Sequence, residues 1–303
     1  MISLATAENA LKNVYLGVLA NQLNCNICPL LAKIEQTSRD VWGKEIIALT
    51  TINGKQYLLR SELANIYGKI EITDKAIRCS QNSAGAFVNL LNDEMENLLK
   101  ETSRQITNAF YNEDKPHDYM SEDEKKAYIP LVLNGLKYLF DDSEPLLYGI
   151  DRKEIAPITK TIDKFDNIKI QELIDNYNED VDFIICSPKT KREYQEYLSE
   201  SHRNIEIIAM EGGYKSIAFN GIIPIVTNKN VKDNEIYLIS IKDFKLHQLC
   251  DWEWLSNENG NILRQHPTKP IYTAHLVKYA NYICHQPQKQ IKVVLGEKKW
   301  VIE

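Results

Sequence analysis

No stretch of this sequence approaches the roughly 18 consecutive apolar residues of a membrane-spanning helix, which excludes a helical membrane protein. Met1–Asn24 lacks the basic start and unbroken apolar run of a secretory leader. The six cysteines (25, 28, 79, 186, 250 and 284) are scattered along 303 residues and do not form the dense framework of a small secreted fold, so a reducing cytoplasm is the expected setting. Basic blocks are equally scarce. Nothing longer than Lys298-Lys299 or the Lys189/Lys191/Arg192 group occurs, and 36 Lys+Arg stand against 42 Asp+Glu for a net charge of −6. Tight, sequence-independent nucleic-acid binding needs cations to displace counterions, so it is not expected. With only 12 Gly and 10 Pro and no low-complexity linker, the chain reads as one interlocked body.

Periodicity supplies the elements. Residues 6–24 place Leu11, Val14, Tyr15, Val18 and Leu19 at helical spacing, and Pro29 suits the first turn of a short second helix through Ile34. Around Asn53-Gly54 two β-prone runs predict a hairpin over 44–60, because that dipeptide accepts positive φ at both central positions. Its apolar residues Ile46, Ile47, Leu49, Ile52, Leu58 and Leu59 exceed what a thin ribbon buries alone. Residues 65–77 alternate as a half-buried strand. Phe87, Leu91, Met95, Leu98, Thr102, Ile106 and Ala109 then predict a helix over about 83–111, with Glu96 one turn from Lys100. The region 112–165 is the least patterned. Beyond it come a helix from Ile170, the strand VDFIICSP, the helix KTKREYQEYLSE, the strand IEIIAM, a hairpin around Asn220-Gly221 and the strand EIYLIS. The tail is mostly β, with an Asn259-Gly260 turn. The fold class is α+β, rich in antiparallel strands, with one dominant helix.

Catalytic and ligand-binding signatures are sparse. No GxxxxGK[ST] or GxGxxG occurs, and Gly212-Gly213 precedes a hairpin where a phosphate site needs a helix N-terminus. Cys25 and Cys28 have CxxC spacing, but a closed zinc site needs four ligands, and only His247 and Cys250 offer themselves as partners; packing cysteines at a helix break fit better. Cys186 ends a strand before a helix, yet it lies in an apolar run where thiols are usually inert. Asp251-Trp252-Glu253-Trp254 on a strand would put both indoles on one face and both carboxylates on the other. Paired glycosidase acids must flank the bond from two sides, so inward tryptophans and solvated acids are the simpler reading. The histidines 117, 202, 247, 266, 275 and 285 show no HxH or HxxxH pairing. No catalytic, cofactor-binding or metal-ligating residue is assigned, and an enzyme is not expected.

Five blocks in order carry a resemblance. They are NALKNVYLGVLANQLN with PLLAKIEQTSRDVWGKEI, EITDKAI with NSAGAFVNLLNDEMENLL, VDFIICSPKTKREYQEYL, GGYKSIAFNGIIPIV, and DFKLHQLCDWEWL through KPIYTAHLVKYANYIC. Together they are similar to the major capsid proteins of tailed bacteriophages, the family with the Hong Kong 97-like fold. That resemblance implies an N-terminal arm (1–42), an E-loop hairpin (43–66), a peripheral domain with a long spine helix and β-sheet (67–111, returning at 250–303), and an axial α/β domain (112–249). The arm and the apolar ribbon would then lie across neighbouring subunits.

The implied function is a structural subunit forming hexamers and pentamers of an icosahedral shell around double-stranded phage DNA, without sequence-specific binding and without a cofactor or membrane. Its implied location is the virion, assembled in host cytoplasm, with a portal as partner. The hairpin is shorter than the family's glycine-rich E-loop, which implies greater reliance on the arm or on a decoration protein, and the region 112–147 departs from the family. The sequence starts at Met1 without a scaffolding-like segment, so a separate scaffolding protein is expected. The alternatives are an encapsulin-like nanocompartment or prophage-derived particle of the same fold, and, in another class, a soluble enzyme using Asp251, Glu253 or Cys28.

Overall fold

The computed structural model describes residues 4–26, 30–80, 84–112, 130–163, 166–178, 180–200, 207–209 and 215–296. Its N-terminal run is Leu4–Ala10, a π-helical turn Leu11–Tyr15, and Leu16–Asn26. Ala7, Leu11, Leu19 and Leu23 are buried, whereas Val18 is half exposed. These buried positions fall on steps of four, slightly longer than the 3.6 residues of an α-turn. The wider π turn rotates the following residues back into line, so one stripe stays inward along the whole run. The second helix expected through Ile34 is a single 3₁₀ turn, Leu31–Lys33; Pro29 lies outside the described residues.

The hairpin forms as expected, Glu45–Ile52 with Lys55–Glu62, and Asn53 and Gly54 take φ of 49° and 77°. A short strand, Val41–Trp42, adds a third member. Strand Ala64–Thr73 buries Ile66, Gly68, Ile70 and Ile72 in strict alternation and pairs antiparallel with the long strand Ile271–Cys284. Where the sequence pattern carried this strand on to residue 77, the chain instead turns into helix Asp74–Ser80, held by an Arg78–Asp74 pair one turn apart. The long strand is the axis of a six-stranded sheet that also holds Glu35–Thr37, Phe244–Gln248, Glu253–Trp254 and Arg264–Gln265.

Helix Ala84–Tyr111 has 28 residues, roughly 42 Å at 1.5 Å per residue. Its stripe Leu91, Met95, Leu98, Thr102, Ile106 and Ala109 is buried, and Lys100 meets Glu96 at 3.1 Å. The helix packs on strand Ala64–Thr73 at Gly68, where a Cβ would stand 2.6 Å from Thr102 Oγ1 and 2.9 Å from Leu98 Cγ. Each buried Leu or Ile of this stripe is worth about 1.5–3 kcal/mol of transfer free energy.

The seven-stranded sheet runs in the order Ile207–Ala209, Lys215–Phe219, Ile223–Thr227, Phe183–Cys186, Glu235–Ile239, Ile291–Leu295, Ile158–Ile162. All four residues of Phe183–Cys186 are buried. Ile184 and Cys186 pack with Ile170 and Ile174 of helix Asn167–Tyr177 and Tyr194 and Leu198 of helix Pro188–Glu200. Phe183 and Ile185 point into the other, larger core that carries the long helix. Burial on both faces explains why this strand reads as an unbroken apolar run. Asp166 and Ser187 cap the two helices through Ile168 N–H at 2.9 Å and Thr190 N–H at 3.2 Å.

Phe244–Gln248 belongs to the six-stranded sheet and Ile291–Leu295 to the seven-stranded one, and the chain passes from one sheet to the other three times, between Thr73 and Ile158, between Ile239 and Phe244, and between Cys284 and Ile291. One expectation changes: the apolar surface of the N-terminal helices and the hairpin is not left for neighbouring copies alone. Ile46, Ala48, Ile52 and Leu59 on the hairpin, and Ala7, Leu11, Leu19 and Leu23 on the arm, are buried in this chain's own larger core. A strand has two faces, and only the outer one is free.

Candidate assembly surface

Cross-strand partners share a face, so the pairings Leu49↔Leu58, Ile47↔Arg60 and Trp42↔Glu45 define the outer side of the three-stranded sheet. Trp42 is 71% exposed, Leu49 60% and Leu58 44%. The inner side is fastened to the body: Thr50 Oγ1 donates to His285 O at 2.8 Å, Tyr57 Oη to Glu154 Oε2 at 2.9 Å, and Asn134 Nδ2 to Ser61 Oγ. The apolar side is therefore held outward on an anchored sheet. A second exposed corner lies where Asn167 Nδ2 donates to Asn220 Oδ1 and Asn220 Nδ2 to Gln171 Oε1. These bonds tie a helix start to a hairpin tip, and beside them Ile168 and Ile222 are 70% and 78% exposed.

The tetrad 251–254 is a fastening for the N-terminal helical run. Trp252 and Trp254 are buried, and their Nε1–H groups donate to Asn24 Oδ1 at 3.2 Å and to Leu11 O at 3.0 Å. Asp251 and Glu253 face outward, as the alternation requires. The buried Lys278 ammonium donates to Asp251 Oδ1 (3.1 Å) and Gln36 Oε1 (3.2 Å), lies 3.5 Å from Asn24 Oδ1, and sits 5.6 Å from the Trp252 ring centre. Desolvation lowers the pKa of Lys278, opposed by Asp251. For Asp251 desolvation pushes upward, but the Trp252 N–H and the Lys278 ammonium outweigh it and the carboxyl ends below its ordinary value. A carboxylate held in this way is occupied as a structural counter-ion.

The other residues singled out by sequence do not converge. Cys28 lies outside the described residues, as do Gly212-Gly213 and Lys298-Lys299; Cys25 is in helix Leu16–Asn26. Burial pushes the Cys186 thiol up to about 12, leaving no thiolate for nucleophilic work. Among the described residues, no group of three or more His, Cys, Asp or Glu side chains is placed to hold a metal ion. His247 has partners of its own. Its Nδ1 lies 3.0 Å from Arg39 O and its Nε2 3.4 Å from Nε2 of His285, a contact that sequence spacing could not signal because 38 residues separate the two.

No protein-family model matches the sequence, and no curated protein matches it. Solved structures do. The holo-SrpI encapsulin complex from Synechococcus elongatus overlays with a TM-score of 0.60 at 11% identity, covering 91% of each chain. The cyanophage A-1(L) capsid asymmetric unit gives 0.57 at 10% identity, covering 94% of this chain and 93% of that one. The satellite phage P4 procapsid that includes the size determination protein gives 0.51 at 11% identity, over 92% and 98%. The chain has the mixed α/β, Hong Kong 97-like fold that phage capsids and encapsulins share.

Proposed function

We propose that this chain is the repeating subunit of a self-assembling closed shell and that its role is structural. The observation that carries this is an overlay spanning nine-tenths or more of both chains with an encapsulin and two phage particle proteins. The anchored sheet with Trp42, Leu49 and Leu58 outward supports it, because an outward apolar face on a rigid sheet marks a surface for contact with a neighbour. A closed point-group assembly leaves no such face uncovered.

Two cargoes fit a shell of this fold. The first reading is an encapsulin-like compartment around protein cargo, in keeping with the overlay on the encapsulin at a TM-score of 0.60. The second reading, in keeping with the overlay on the cyanophage capsid, is a virion shell of hexamers and pentamers around double-stranded DNA, assembled in host cytoplasm with a separate scaffolding protein, a portal and a decoration protein. The net charge of −6 suits either, since neither cargo is held by a basic wall.

The test is electron microscopy and sedimentation of the expressed full chain, followed by analysis of particles from the native source. Closed particles are expected; a stable 35 kDa monomer under all conditions, scaffold included, overturns the shell reading. Encapsulated protein without DNA supports the compartment, and packaged genome-length DNA supports the virion. An enzymatic role for Asp251, Glu253 or Cys28 would require a turnover lost in Asp251→Asn, Glu253→Gln or Cys28→Ser with the particle intact.

A further inference from the structure

The two imidazoles His247 and His285 present their Nε2 atoms to each other 3.4 Å apart across the sheet end. We propose that they form a chelate for one borderline divalent transition-metal cation of the zinc class, with water filling the remaining positions. Two nitrogens bound to one tetrahedral ion at about 2.0–2.1 Å stand roughly 3.3–3.4 Å apart, so the donor separation already suits a chelate, and a tilt of the rings, whose centres lie 5.6 Å apart, would aim both lone pairs at one ion. Without an ion, this contact is a long hydrogen bond between the two rings, which the chelate would replace.

The backbone fixes both rings. His247 is fully buried on strand Phe244–Gln248, opposite Asn281 of the long strand. His285 follows that strand's last residue, and its N–H donates to Asp243 O at 2.7 Å. The ring of His247 is oriented as metal-bound histidines usually are, with Nδ1 on a backbone carbonyl, that of Arg39, at 3.0 Å. With the proton on Nδ1, its Nε2 carries the lone pair.

The charged groups acting on the pair are Asp40, Glu35 and Lys245. Lys245 is engaged by Glu35 at 3.0 Å, which leaves the Asp40 carboxylate to favour a cation. Imidazole donors select zinc, nickel or copper over magnesium and calcium. The position gives binding a consequence: residues 285–290 carry the chain from the six-stranded to the seven-stranded sheet, so an ion here staples the start of that crossing to Phe244–Gln248.

The experiment is calorimetric titration of the metal-free full chain with ZnCl2 at pH 7.5, with thermal unfolding followed in parallel. One Zn²⁺ per chain is expected, with the unfolding midpoint raised by about 5 °C at a hundredfold excess over the dissociation constant, and with no response to MgCl2. His285→Gln, which keeps a polar side chain of similar reach, is expected to lose at least tenfold in affinity; His266→Gln, on the exposed surface, is expected to lose nothing. Should His285→Gln not fold, His285→Asn is the second variant. The proposal is overturned if the wild-type chain binds no zinc, or if His285→Gln or His285→Asn binds it with unchanged affinity and stoichiometry.

Discussion

Gly68 sits where strand Ala64–Thr73 meets the long helix, and the absent Cβ is what allows that approach. Thr102 Oγ1 and Leu98 Cγ, both within 3 Å of the place a methyl would take, are buried and cannot swing to solvent. Gly68→Ala is therefore expected to destabilise the fold by about 1–3 kcal/mol, seen as a lower urea midpoint with an unchanged slope. At the Lys278–Asp251 pair the expected costs are asymmetric. Asp251 is more than half exposed, so Lys278→Met leaves a carboxylate that water can solvate and should cost about 1 kcal/mol. Asp251→Ala leaves a buried ammonium with only amide oxygens, and should cost about 2 kcal/mol. The sign with pH follows from the lowered Asp251 pKa. Its contribution is fully present above the usual carboxylate value near 3.8 and is lost as pH falls through the lower folded value. Acid unfolding curves of Asp251→Asn should accordingly be flatter below pH 3.8 than those of the wild type.

Among the elements, the hairpin has the most explicit local code. Asn53 and Gly54 both take positive φ, and the strand register Ile52↔Lys55 follows from that two-residue turn. Gly54→Val should strain the turn by about 1–2 kcal/mol, and hydrogen exchange should show weakened protection over 45–62 before the rest of the molecule. The inward partners at this element were less legible. Thr50 and Tyr57 reach the His285 carbonyl and Glu154 with their side chains, and the Arg60 backbone N–H donates to the Tyr148 carbonyl, each partner far away in sequence. Alternation revealed that one face is apolar; it could not reveal that the body of the same chain covers it.

For the whole molecule, the proposed shell makes the outward Trp42, Leu49 and Leu58 contacts between copies. Leu49→Lys combined with Leu58→Lys is expected to leave the chain folded, with circular dichroism unchanged, while particles give way to smaller species in sedimentation. Particle formation unchanged by the double substitution would remove this face from the assembly contacts.

The sequence alone determined the elements whose signal is local. The alternation of 64–73, the stripe of 84–111, the turns at Asn53-Gly54 and Asn220-Gly221, and the outward acids with inward indoles of 251–254 depend on neighbours two to four residues away. Only the tertiary structure decided what those elements cover. It brought Asn24, Gln36 and Asp251 around Lys278, placed His247 against His285, seated the arm and hairpin on their own core, and threaded Phe244–Gln248 and Ile291–Leu295 into different sheets. Those choices rest on strand register and on burial summed over the whole chain, and side chains hundreds of residues apart meet only after that sum is settled.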